Sequence, residues 1–228
     1  MKSPMPTQPV NPLPPVVVAL FVMIVLVEGV FALGARGLLG GPEAVGWRNE
    51  AIQLYGFNGA ILDWMLETGR WPPEHLLRLV TFQFVHGTFT HALFAAIMLL
   101  ALGKMVGEVF GAPATLAVFV LSGAMGAAVF GLALDDPAWL VGAFPGVYGL
   151  IGAFTWLLWM RLGQVGAQQA RAFTLIGFLL GIQLVFGLLF GLSNDWLADL
   201  AGFAAGFGLS FVVSPGGWAR LRARLRRE

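Results

Sequence analysis

Six apolar stretches, each long enough to cross a bilayer, occupy most of this chain of 228 residues. They run over Val16–Ala35, Thr90–Val109, Ala114–Leu134, Val141–Arg161, Phe173–Leu192 and Trp196–Val213. A hydrocarbon core about 30 Å thick takes roughly 20 residues of helix, so these lengths suit spanning rather than lying on the surface. The pattern predicts an all-α, polytopic membrane protein whose six spans form one bundle. Composition agrees: 58% of residues are hydrophobic and 11% charged, with mean hydropathy +0.81. Soluble domains carry about 25% charged residues. The 31 glycines suit helices that pack closely where no hydrophobic force drives them together. With no cysteine, a disulfide framework, a thiolate metal site and a cysteine nucleophile are all excluded.

Charge placement organises the rest of the chain. With the N-terminus in the cytoplasm, Lys2, Lys104, Arg161, Arg171, Arg220, Arg222, Arg224, Arg226 and Arg227 fall on the cytoplasmic side. The remaining basic residues, Arg36, Arg48, Arg70 and Arg78, fall in or beside one long outer connection. This is the positive-inside asymmetry of a cytoplasmic-membrane protein with both ends inside, here read as a bacterial inner membrane. Residues 1–15 read as a disordered lead, 16–213 as the membrane domain, and 214–228 as a basic tail attracted to anionic lipid. The net charge of +1 says nothing about nucleic acid, but the basic residues form no stripe along a groove, so no nucleic-acid partner is expected and the lipid bilayer is the evident one.

The outer connection, 37–89, is too long for a turn and is rich in apolar and aromatic residues. Ile61, Trp64 and Met65 follow the i, i+3, i+4 spacing of one helical face. Short amphipathic helices beside the bundle are expected. Two carboxylates lie within the spans. Glu28 is assigned to the membrane surface or to a polar neighbour. Asp199, near the middle of the last span, marks the candidate site, because an ionisable group at that depth faces the bundle interior.

Three segments then carry a resemblance. The first runs from Arg78 through His86 and His91 to Ala95 and Gly103. The second is Gly142-Ala143-Phe144-Pro145-Gly146-Val147-Tyr148-Gly149, and the third is Ala198-Asp199-Leu200-Ala201-Gly202, followed by Gly206. In order and by span they resemble the rhomboid family of intramembrane serine proteases. The resemblance implies the six-helix fold, a long membrane-hugging first loop, and a site made by the second, fourth and sixth spans. Carried over residue by residue, it places the nucleophile position at Phe144 and the base position at Asp199. Ala95 takes the position of the oxyanion-supporting asparagine, and His91, with His86 before it, is retained.

Phe144 has no nucleophilic atom, and Pro145 has no backbone N–H to offer an oxyanion. A nucleophile also needs an adjacent base, and Asp199 has nothing opposite it to activate. Ser122, Ser193, Ser210 and Ser214 offer no defensible relocation of the nucleophile. The reading is a pseudoprotease, without cofactor or metal, that binds transmembrane segments of other proteins. The alternative is an active protease with a displaced nucleophile. A two-histidine, one-carboxylate metal set of His86, His91 and Asp199 ranks below a plain buried hydrogen bond. Asp199 is therefore expected to pair with His91 or, failing that, with His86.

Overall fold

The computed structural model describes residues 12–134, 136–190 and 193–217, without the side chains of Leu184, Phe186, Gly187, Leu188 and Phe190. Most of the N-terminal lead and of the basic tail, and the predicted end of the fifth span at Leu192, lie outside the described residues. The described chain is helical throughout: α1 (Pro15–Ala35), α2 (Trp47–Tyr55), α3 (Gly59–Thr68), α4 (Pro73–Thr81), α5 (Phe89–Phe110), α6 (Ala112–Ala133), α7 (Phe144–Gln164), α8 (Thr174–Phe190) and α9 (Asp195–Val213). Strand-like pairing among the described residues is confined to a single antiparallel bridge between Phe57 and Leu140. Among the described residues, four helices, α1, α5, α6 and α9, are long and apolar enough to cross a membrane. Two more helices, α7 and α8, coincide with the remaining predicted spans.

The core of the bundle is built by backbone proximity. Without a hydrophobic force between helices in lipid, small residues at the contact let dispersion and weak polar contacts act at short range. Where α7 meets α9, a Cβ on Gly206 would run into the Gly149 carbonyl, one on Gly202 into the Pro145 carbonyl, and one on Gly152 into the Phe203 carbonyl. On α6, a Cβ at Gly126 would lie 2.5 Å from the Ala198 carbonyl oxygen of α9. The other seam joins α5 to α1, with Gly103 against Val17 and Gly107 against Pro14. Around these contacts Ile24, Leu99, Val118, Phe119, Leu150 and Ile151 form the apolar interior. The outward faces are apolar too: Leu26, Phe94, Leu121, Phe178 and Leu189 are all exposed, which is the surface a bilayer covers.

The long connection holds α2, α3 and α4, as the helical spacing predicts. Asn58 starts α3 by accepting from the Ala60 N–H, while its amide donates to the Pro137 carbonyl. The buried face of α3 is Leu62 and Met65, packed with Phe57, Phe82 and Phe130. Trp64, expected to share that face, is 39% exposed and stands edge-on to His75. Arg78 of α4 donates to the Gln53 and Gly56 carbonyls and lies over Trp139, which fixes α4 to the end of α2.

Glu28 has the polar neighbour expected of it. Its carboxylate takes both arms of Arg48, at 2.6 and 2.9 Å, and the guanidinium lies over the Phe31 ring. Nη1 of Arg48 also donates to the His86 carbonyl at 2.6 Å. One residue of α2 thus joins α1 to the segment that leads into α5. Removing one partner of a buried pair strands the other, at about 3–5 kcal/mol when burial is complete. Arg48 keeps some exposure, so Arg48→Ala should cost about 2–3 kcal/mol. Glu28→Gln combined with Arg48→Ala should cost little more than Arg48→Ala alone. Unfolding in detergent, followed by circular dichroism, measures both, and strictly additive losses would show that the two residues act separately.

Candidate functional site

His86, His91, Phe144 and Ala95 come together where the segment before α5 meets the start of α7. Thr88 caps α5 by accepting from the His91 N–H at 3.1 Å, which sets His91 on the first turn of the helix. His86 and His91 stand edge to face, with ring centroids 5.1 Å apart. The Phe144 ring stacks on His91 at 5.2 Å with an interplanar angle of 12°. Ala95, one turn further along α5, is fully buried and offers only a methyl group.

The turn into α7 needs its glycine. Gly142 has φ +102°, and a Cβ there would lie 2.5 Å from Cε1 and Nε2 of His91. Its N–H donates to the Phe82 carbonyl, and the Ala143 N–H donates to His86 Nε2 at 3.2 Å. The lone pair of His86 Nε2 is therefore in use, and its proton sits on Nδ1. Phe144 and Pro145 then open α7, where a proline has no helical N–H bond to lose.

Asp199 is buried on α9, but its partner is Gln183 of α8. Gln183 Nε2 donates to Asp199 Oδ2 at 2.8 Å. Among the described residues no hydrogen bond joins Asp199 to His91 or to His86, which corrects the expected pair. A lone amide in an apolar helix needs a partner as much as a carboxylate does, and Gln183 is the one that reaches Asp199. No three His, Asp or Glu side chains among the described residues gather as a metal set would.

The serines also lie apart from the histidines. Ser122 is buried in α6 against Gly149, with its hydroxyl unpartnered. Ser210 donates back to the Gly206 carbonyl, and Ser214 follows α9. Ser193 is exposed just before α9. Among the described residues no hydrogen bond joins Ser122, Ser193 or Ser210 to His86, His91 or Asp199. Sequence reasoning missed Gln183 and Arg48; the signal for Gln183 was its place as the lone amide of the fifth apolar stretch.

Burial, with His91 beside it, pushes the His86 imidazole down to about 3. The folded protein then holds His86 neutral while the unfolded chain protonates near pH 6.5. Between those values the unfolded state binds the extra proton, so stability falls as pH falls. Acidification from pH 6.5 to 5 should remove on the order of 2 kcal/mol through this group. His86→Gln should flatten that part of the profile in detergent unfolding curves, and an unchanged slope would assign it elsewhere.

No curated protein matches the chain. The family model of the Rhomboid domain matches residues 73–216, from α4 through the end of α9. That match takes in the histidines, the turn into α7 and Asp199, and it covers more than half of the chain: the protein belongs to the rhomboid family.

Proposed function

We propose that this rhomboid-family membrane protein is a pseudoprotease, a bundle of six spans (α1 and α5 to α9) that binds transmembrane segments of partner proteins instead of cleaving them. The observation that carries this reading is the stacking of Phe144 on His91. In the family's arrangement the residue at that position attacks the scissile carbonyl after a histidine has taken its proton. Phe144 has no atom able to attack, and its ring covers the face of the retained imidazole.

Other features support the same reading. Asp199, at the base position, is engaged by Gln183, and among the described residues no hydrogen bond joins Ser122, Ser193 or Ser210 to it or to either histidine. Pro145 and Ala95 remove the donors that would hold a developing oxyanion. The fold itself is intact: the glycine seam between α7 and α9 and the ion pair on α1 remain, as retention of a binding role requires. The fifth span offers partner helices an apolar face that includes the exposed Phe178; Phe186, on the same helix, lies outside the described side chains.

Two experiments test the loss of chemistry. The purified protein should cleave no rhomboid reporter and take up no serine-directed fluorophosphonate. Labelling that disappears on mutation of Ser122, Ser193, Ser210 or Ser214 would instead assign an active protease with a displaced nucleophile. Phe144→Ser alone should also stay inactive, because nothing at Asp199 replaces the imidazole base and the oxyanion stays unsupported. Weak turnover, far below the 10²–10⁴-fold that a positioned base adds, should need Phe144→Ser, Pro145→Gly, Ala95→Asn and Asp199→His together. Full activity from the single change would show that the base is elsewhere.

A further inference from the structure

The end of the bundle where α5, α7 and α9 finish holds a cavity of about 610 Å³. That lies within the roughly 300–1,000 Å³ of small-molecule sites. Its two long walls change character along their length. On α7 the lining runs from Phe154 and Leu157 to Arg161 and Gln164, about 15 Å of helix from an apolar start to a polar end. On α5 it runs from Met105 to Glu108, in the last turn before Phe110. The cavity is open rather than sealed: Met105 is 44% exposed, and Glu108, Arg161 and Gln164 are exposed as well.

Two opposite charges line this cavity without joining each other. Ion pairs among the described residues join Arg48 to Glu28 and Lys104 to Glu108, and Arg161 is in neither. Gln164, three residues beyond Arg161 on the same helix face, adds amide donors beside the guanidinium. Glu108 holds Lys104 through one carboxylate oxygen at 2.6 Å. A carboxylate offers about four acceptor positions, so that pair does not exhaust it. A ligand matched to these walls is apolar at one end and carries both an anion and a cation at the other.

We propose that this cavity seats a phospholipid whose headgroup carries a primary amine. Its phosphate meets Arg161 and Gln164, its ammonium meets Glu108, and the start of its acyl chains lies along Phe154, Leu157 and Met105. A guanidinium fork matches phosphate oxygens in geometry as well as charge. A primary ammonium brings three N–H donors to the carboxylate, whereas a trimethylated one brings none. The depth also fits, because α5 and α9 are long and apolar enough to cross a membrane and their ends lie at the level of headgroups. His91 and Phe144 stand at the opposite ends of α5 and α7, so the lipid site is separate from the degenerate protease site.

The test titrates the full chain in detergent with phosphatidylethanolamine, phosphatidylcholine, phosphatidylglycerol and diacylglycerol of the same chains, counting bound lipid by native mass spectrometry. Phosphatidylethanolamine should bind about fivefold more tightly than phosphatidylcholine, and phosphatidylcholine about fivefold more tightly than diacylglycerol, each equivalent to roughly 1 kcal/mol. Glu108→Gln should reduce the first ratio to about twofold or less, and Arg161→Gln should do the same to the second. Arg171→Gln, which removes a cation near the same end of the bundle but outside the cavity, should leave both ratios unchanged. Each ratio is read within one variant, so a general loss of fold cannot imitate the result. Ratios that survive Glu108→Gln and Arg161→Gln, or that fall equally with Arg171→Gln, would overturn the proposal. So would phosphatidylglycerol binding as well as phosphatidylethanolamine, which would mark a plain anion site. Displacement of the lipid by equimolar soluble phosphorylethanolamine would assign a free metabolite instead. Binding of no lipid would leave the cavity to another occupant, the chain's own tail included, and overturn the proposal too.

Discussion

Everything in this bundle depends on how closely α7 and α9 approach. In lipid, two apolar helices gain nothing by hiding from solvent, so their association rests on short-range contact. Gly149 and Gly152 on one helix, and Gly202 and Gly206 on the other, remove the side chains that would hold the backbones apart. Pro145 sits at the head of the seam, with its carbonyl against Gly202. Because Phe144 precedes Pro145 and Asp199 precedes Gly202 by less than one turn, the seam also sets where both residues project. The packing that holds the fold together is what brings the site's elements near one another.

The polar groups divide into two sets around that seam. On one side Glu28, Arg48 and the His86 backbone form a connected strut from α1 through α2 to the start of α5. His86 then reaches across to the Ala143 N–H, one residue before Phe144. Each member of this strut has a partner, so it stiffens the region without leaving a group to do chemistry. On the other side Asp199 and Gln183 hold each other and leave an acceptor open on each. The first set positions backbone, and the second ties α8 to α9.

The ring of Phe144 ties the start of α7 to the start of α5. Stacked on His91, it fills space with apolar surface and adds the modest attraction of an aromatic pair, about 0.5–1.5 kcal/mol beyond burial. A smaller residue there would leave a void between α5 and α7, where core packing tolerates few.

Much of this was legible in the amino acids. The apolar lengths marked α1, α5, α6 and α9, the four helices among the described residues that are long and apolar enough to cross a membrane, within a few residues of their bounds, because backbone groups in lipid must be satisfied within their own segment. The spacing of Ile61 to Met65 marked a helix in the long connection, and the three ordered segments marked the family. Tertiary structure alone decided the partners. Asp199 found Gln183 instead of His91, Glu28 found Arg48, and Trp64 turned outward while Leu62 turned in. Periodicity determines which face of a helix is apolar, since that depends on neighbours a few residues away. It does not determine which polar atom lies opposite, because that depends on the rotation and crossing of helices distant in the chain, and here those are set by glycine contacts.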